Sequence, residues 1–429
     1  MTLASPRLQH LDPLPDLKLL LSHVTGSANS RQAALAFHEV HQLAECHHTL
    51  AWTEPPIRGD FWPSSLRSQI ERRCFSELPR EKLKSHPWRE IIRLASRTHR
   101  FPILSNWLRR RYDIQSVNRH FDEAVARRLS QIPDLTAVYG YFDTSLHTFR
   151  AAKKRGLRTL YELPTPYWKS VAKICDAERA RLPLWSSTLP STESLSATAE
   201  QRDEELQLAD LVIVPSHFVR ESLELAPPFK AKVRVVPYGC PEPLAAPPTL
   251  NREPRTANRE PLKLLFVGTL SQSKGLADLL EAIVPLGNQV CLTLAGSSPF
   301  PLSQIPSSVR QLGQLPHAAL LAELPKHDLM VLPTLYEGLS LSLLEAMSAG
   351  LPVLTTAHSG LKGLVENGRQ VVMVEPRSPD ELRGQLQRLL EHPEDRERLS
   401  QEGLHWAKAH GWKHYREDLR SAIEMHAPL

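Results

Sequence analysis

The chain has 429 residues, 41% hydrophobic and 23% charged, with a formal net charge of +5. That length and balance fit a globular protein of about two domains able to bury a sizeable core. The longest apolar runs, such as Leu262–Leu270 with its internal Lys263, are too short to cross a bilayer. Five scattered cysteines without a C-x-x-C pair argue against a disulfide framework, so a reducing, cytoplasmic setting is expected.

The opening residues "MTLASPRLQHLDPLPDLKLLL" are broken by prolines and acids and make a poor signal peptide. Leu17–His23 reads as a short buried strand. A Gly/Ser/Asn turn and an amphipathic helix follow in "VTGSANSRQAALAFHEVHQLA", the opening of an α/β unit. The region from Pro63 to Ile132 is helical in tone and rich in Arg. Strands are expected at Thr136–Phe142, Leu157–Pro164, Leu211–Ser216 and Lys232–Gly239. Helices are expected at "SLHTFRAAKKRG" and "QRDEELQLAD" between them. Six prolines and no hydrophobic period mark Cys240–Pro261 as a linker.

After the linker the alternation restarts. "LKLLFVG", "VCLTLAG", "DLMVLPT", "PVLTT" and "VVMVEP" read as strands. "LADLLEAIVPLG", "HAALLAELPKH", "SLLEAMSAG" and "PDELRGQLQRLLEHP" read as helices. Alternating strands and helices predict two parallel sheets covered on both faces, with ligands at the carboxyl ends of the strands and in the cleft between the halves. The expected division is an N-terminal domain over 1–239, a linker over 240–261, a second domain over 262–405 and a final helix over 406–429 that crosses back to the N-terminal domain.

Charge is uneven. Between Leu66 and His120 there are 14 Lys and Arg against 5 Asp and Glu, with Trp88, Phe101, Trp107 and Tyr112 interleaved. The stretch reads either as solvated helix faces or as a face for anionic membrane or an acidic acceptor. No nucleic-acid-binding module accompanies the stretch, so no nucleic-acid partner is expected. None of the nineteen histidines has a metal-ligand spacing; His47 and His48, placed on a predicted helix, point away from each other.

Two stretches carry chemistry. In "LYEGLSLSLLEAM" the strand before it puts Glu337 on the loop at a carboxyl end. Gly338 lets backbone approach a ligand, Ser340 or Ser342 can cap the next helix, and Glu345 lies about one turn inside it. Spacing alone leaves both acids divided between solvated side chains and ligand contacts. In "LLFVGTLSQSKGLADLLEAI", Lys274 beside Gly275 opens a helix and can neutralise phosphate. The stretch is neither a Walker loop nor a G-x-G-x-x-G fingerprint.

The combination "P-T-x-x-E-G-L-S-x-S-x-L-E-A-M-S-A-G-L-P-V" with "F-V-G-T-L-S-x-S-K-G" resembles the C-terminal domain of glycosyltransferase family 4, with its E-x7-E motif, over about Lys263–Gly403. The resemblance implies a retaining enzyme of the α/β GT-B fold, two Rossmann-like domains with parallel sheets facing across a cleft. Glu337 would contact the donor sugar, Glu345 the ribose, and Lys274 the diphosphate. Gly268, Thr269 and the backbone of Gly338, Leu339 and Ser340 would line the donor, and Gly26 would lie near the diphosphate or acceptor. The partners implied are a nucleotide-sugar donor and an unknown acceptor, with no cofactor. The sequence lacks Asp-x-Asp, so no metal is required.

Two departures stand out. Thr269 occupies a position where the family often has Arg, and an N-terminal His has no match, which leaves Glu162 as a candidate for a polar contact to the sugar. Asp143 is a further cleft candidate, and Tyr167 and Trp168 are set either to stack on a sugar or to pack in the core. A nucleotide-sugar epimerase, a non-catalytic binder of the same fold and a polyanion-binding protein are the alternatives.

Overall fold

The computed structural model describes residues 17–54, 73–96, 111–243, 261–298 and 304–425. Short apolar segments set the architecture. Strands β1 (Leu19–Ser22), β2 (Leu43–His48), β3 (Leu83–Ser85), β4 (Ala137–Tyr141), β5 (Arg158–Glu162), β6 (Leu211–Val214) and β7 (Lys232–Val235) form one sheet in the order β3-β2-β1-β4-β5-β6-β7. Strands β8 (Leu262–Val267), β9 (Val290–Ala295), β10 (Arg310–Gly313), β11 (Leu329–Leu332), β12 (Val353–Thr356) and β13 (Val372–Val374) form a second, in the order β10-β9-β8-β11-β12-β13. Every pairing is parallel. The chain is therefore two Rossmann-like α/β domains. Central strands such as β1, β4, β6, β11 and β12 are buried along their whole length, as parallel sheets require.

Each sheet reverses strand order beside its first strand, between β1 and β4 and between β8 and β11. Loops leaving those strands open the crevice where ligands of such sheets lie. The two sheets turn these carboxyl-end loops toward each other. A Cβ on Gly338, after β11, would sit 1.7 Å from the carbonyl oxygen of Pro164, after β5. Ser216, after β6, donates its hydroxyl to the Gly338 carbonyl.

Three strands were not expected. β2 carries Glu45, His47 and His48, polar residues that a buried strand seldom holds, and so reads from sequence as the tail of a helix. The structure partners them instead. Arg128 donates to Glu45 at 3.0 and 2.6 Å, His47 Nε2 lies 2.9 Å from Glu45 and its Nδ1 2.9 Å from His86. His47 and His48 thus belong to a strand, not a helix. β3 lies inside the segment expected to be helical, and β10 is an edge strand of mixed polarity. The helix Trp168–Arg181 was also not expected, because the prolines of "LPTPYW" mask its start.

The chain crosses between domains twice at one place. Cys240 N donates to His410 O at 2.8 Å, and a Cβ on Gly239 would meet Trp412 Cα at 2.4 Å. The helix Pro393–Ala409 stays with the second domain, where Ser400 Oγ donates to Gly350 O at 2.6 Å. The helix Trp412–Glu424 packs on the N-terminal helix Ala28–His38. Arg416 reaches Gln32 at 2.6 Å, and Arg420 reaches the Ala36 carbonyl at 3.0 Å. Residues 244–260, most of the expected linker, lie outside the described residues, as do 66–72 and 97–110 of the basic stretch, with Phe101 and Trp107.

Candidate active site

The site is assembled at the switch point of the second sheet. After β8 the backbone passes Gly268 and the exposed Thr269, then makes a single 3-10 turn, Gln272–Lys274. Gly275 follows with φ +74°, a left-handed conformation natural to glycine, and starts the helix Leu276–Ile283. Its second reason is contact: a Cβ there would lie 1.9 Å from the Pro333 carbonyl oxygen. The β8 loop is therefore pressed onto the β11 loop. Ser273 O accepts from Leu335 N at 2.9 Å and from Thr334 Oγ1 at 3.1 Å.

This contact brings Lys274 to Glu337. The two side chains form a direct ion pair, each about one-fifth exposed. The neighbouring backbone is pinned from the β12 side, since Glu337 N donates to His358 O at 2.9 Å and Ser340 N to Ser359 O at 3.2 Å. Leu339 buries its side chain, so only its backbone is available to a ligand. Ser340 stands at the N-cap of the helix Leu341–Ser348, but its hydroxyl lies 3.1 Å from the Ser342 hydroxyl and caps no backbone N–H. The first-turn amides thus keep their capacity for an anion. Glu345, further along that helix, lies 2.8 Å from Nε2 of His317, which opens the helix His317–Glu323 after β10. Sequence reasoning missed His317; its only mark is a position at the start of a helix after a strand.

The first domain supplies the facing wall, and the expectation for Glu162 changes there. Glu162 ends β5 but is 1% exposed. It accepts from Tyr139 Oη at 2.6 Å, Asn29 Nδ2 at 2.7 Å and Tyr238 Oη at 3.0 Å. Burial pushes its carboxyl above the usual range, against those hydrogen bonds. It is a core acid with both oxygens taken by protein donors, and it cannot touch a sugar as placed. Gly26, with φ +67°, is buried against the Phe75 ring and donates its N–H to His23 Nδ1 at 2.8 Å.

Asp143 is bound to Arg202, whose Nε and Nη2 lie 2.6 and 2.7 Å from its two oxygens. Tyr167 and Trp168 line a cavity of about 300 Å³, with Phe142, Tyr161 and, from the second domain, Tyr336. Sequence reasoning missed the interdomain group around Glu178. This fully buried acid accepts from Gln272 Nε2 at 2.6 Å and lies 3.1 Å from Arg377; Arg181 bridges it to Asp278. Among the described residues, no group of three or more His, Cys, Asp or Glu is arranged to hold a metal ion, and no helix is long and apolar enough to cross a membrane.

The described part of the basic stretch turns much of its charge inward. Arg73 and Arg93 meet the buried Glu90 at 3.2 and 2.6 Å, and Lys82 donates to Leu43 O at 2.8 Å.

Residues 249–406 match the family model described as Glycosyl transferases group 1. Glycogen synthase of Mycobacterium tuberculosis is 34% identical over 184 residues, 40% of this chain and 43% of the relative. Alpha-D-kanosaminyltransferase of Streptomyces kanamyceticus is 28% identical over 149 residues, 32% of this chain and 39% of the relative. The matches thus span less than half of these curated relatives.

Similarity of fold extends over nearly the whole chain. Sucrose-phosphate synthase from Thermosynechococcus elongatus superposes with a TM-score of 0.59 at 18% identity, covering 95% of this chain and 98% of that one. HepE of Anabaena, solved in complex with UDP, gives 0.57 at 15% identity, covering 95% and 100%. The chain therefore has a GT-B fold, and its residues 249–406 match the glycosyl transferases group 1 model.

Proposed function

We propose that the chain is a glycosyltransferase. It moves a hexose-type sugar from a nucleoside-diphosphate sugar to an acceptor hydroxyl, with retention, an α linkage in the product and no divalent metal. The observation that carries this reading is the meeting of Lys274 and Glu337 over the switch point, beside a helix start that no side chain caps. A diphosphate lodged there meets a lysine and helix amides, fixed positive charge placed where negative charge develops as the sugar leaves. With Lys274 turned to phosphate, Glu337 is released to accept from the hydroxyls of the donor sugar. Glu345 accepts from the ribose in place of His317. Thr269 adds no cation, so Lys274 and the amides carry that role. The fold shared with HepE, solved with UDP, supports a nucleotide donor.

The reading is tested by thermal unfolding with a panel of UDP-, GDP- and ADP-sugars, followed by an assay of slow donor hydrolysis. One donor is expected to raise the Tm of the native chain and to lose that effect with Glu337→Ala and Glu345→Ala. An unmoved Tm across the panel would sink the reading. A second reading, a binder that does not turn over, is favoured by the lysine and glutamate satisfying each other and by Thr269. A donor that shifts the Tm without being hydrolysed or transferred selects it. The glycosyltransferase reading includes a peripheral contact with anionic membrane, for which Trp88 and Ile91, exposed on the helix Trp88–Ala95, offer apolar surface. Co-sedimentation with anionic vesicles, lost in Trp88→Ala, checks it.

A further inference from the structure

We infer that the cavity closed by Tyr336 holds the acceptor, and that it selects an uncharged acceptor carrying an aryl or alkyl group over a phosphorylated one. The inference rests on the glycosyl-transfer reading and sharpens it to a class of acceptor.

Position comes first. The cavity lies at the carboxyl ends of β4 and β5, against Phe142 and Leu163, where open α/β sheets receive ligands. The second domain closes it with Tyr336, whose backbone runs directly into Glu337. The cavity is thus one residue along the backbone from the group proposed to hold the donor sugar.

Size comes next. An apolar cavity of about 150 Å³ accepts benzene. The roughly 300 Å³ available has room for about two such rings or an alkyl chain of similar bulk.

The chemistry of the wall decides the class. Phe142, Tyr161, Tyr167, Trp168 and Tyr336 present rings, and Val171 adds an aliphatic side. The polar ends of these residues are largely committed elsewhere. Tyr161 Oη donates to Glu205 at 3.0 Å and Tyr167 Oη to Asp203. Arg202, the one cation among the residues lining the cavity, spends Nε and Nη2 on Asp143 and Nη1 on the Leu195 carbonyl at 3.1 Å. A phosphate would have to take Arg202 from a two-pronged partner and then lie beside the displaced carboxylate. Stripping a charge-assisted pair and crowding two anions both oppose it. A bare sugar fares poorly as well, because its hydroxyls would find few uncommitted partners. An aryl or alkyl group needs none.

The full chain is titrated calorimetrically with glucose, glucose 6-phosphate, p-nitrophenyl glucoside and octyl glucoside, the last below its micelle concentration. UDP is titrated in parallel. The aryl and octyl glucosides are expected to bind at least ten-fold more tightly than glucose, and glucose 6-phosphate no more tightly than glucose. Trp168→Ala is expected to lose that ten-fold advantage. Tightest binding by glucose 6-phosphate, or an unchanged advantage in Trp168→Ala, would overturn the inference. The ranking on the native chain decides the matter should the variant fail to fold. If UDP binds and the apolar glucosides do not, the acceptor class is wrong and the donor reading stands. If the apolar glucosides bind and neither UDP nor any other nucleotide of the donor panel does, the donor reading fails while the selectivity of the cavity stands.

Discussion

Lys274 and Glu337 neutralise each other in the site as it stands, so a donor must part them. Replacing Lys274 by Met is expected to weaken nucleotide binding by about 10- to 100-fold, the worth of a charge-assisted hydrogen bond of roughly 1.5–3 kcal/mol. Direct titration with the nucleotide measures it. Glu45 offers a test away from the site. Burial pushes its carboxyl up, yet hydrogen bonds from Arg128 and His47 outweigh burial and hold it at about 2, below the unperturbed 4.5. A carboxyl depressed on folding stabilises fully above 4.5 and loses that contribution as pH falls toward 2. Glu45→Gln should therefore cost about 1 kcal/mol at pH 7, with allowance for screening, and the deficit should narrow below pH 4.5. Urea midpoints at pH 7 and pH 3.5 check both statements.

Lys274, Glu337 and Glu345 are singled out by the family resemblance, since position after a strand alone leaves them divided between solvated side chains and ligand contacts. Glu162 is a candidate only because the N-terminal His has no match. It ends a strand, but only the packing of Asn29, Tyr139 and Tyr238 shows that it faces inward.

Elements reveal a different boundary of legibility. Apolar strands such as β8 and β11 announce themselves, whereas β2 does not. Its buried Glu45 and His47 are tolerable only because Arg128 and His86 arrive from distant segments. The last helix depends on its docking. Leu419 is fully buried, while Arg416 and Arg420 meet a half-exposed Glu39. Leu419→Ala should cost about 2–5 kcal/mol, the range for a buried leucine truncated to alanine. Arg420→Ala should cost about 1 kcal/mol, since its partner Glu39 is half-exposed and the pair is long at 3.4 Å, leaving mainly the hydrogen bond to the Ala36 carbonyl. Denaturant unfolding of the two variants should show this ordering, and the reverse ordering would mean that the helix is held by charge rather than by burial.

At the scale of the whole molecule the domains are closed on each other. Gly338 rests on Pro164 and Ser216, and the rings of Phe218 and His358 stack at 4.4 Å. Glu178 is the polar centre of the closure, drawing Arg181, Gln272 and Arg377 from both domains. Removing one partner of a buried charged group leaves the others uncompensated. Glu178→Ala should therefore favour an open arrangement turning about the paired crossings at 239–240 and 410–412. A larger radius of gyration by small-angle scattering is the expected result; an unchanged radius would show that the apolar and backbone contacts suffice to hold the domains together.

By itself the sequence determined the alternation of strands and helices, the restart of that rhythm after the prolines, and the loop positions of Lys274 and Glu337. These depend on local pattern, which neighbours along the chain carry. Only the tertiary structure decided that Glu162 is enclosed, that Glu178 joins the domains, that His317 meets Glu345, and that aromatic rings wall a cavity with its lone cation already spent. Those features arise where residues far apart in sequence meet. Burial and the partner found there, rather than residue type, set what each group can do.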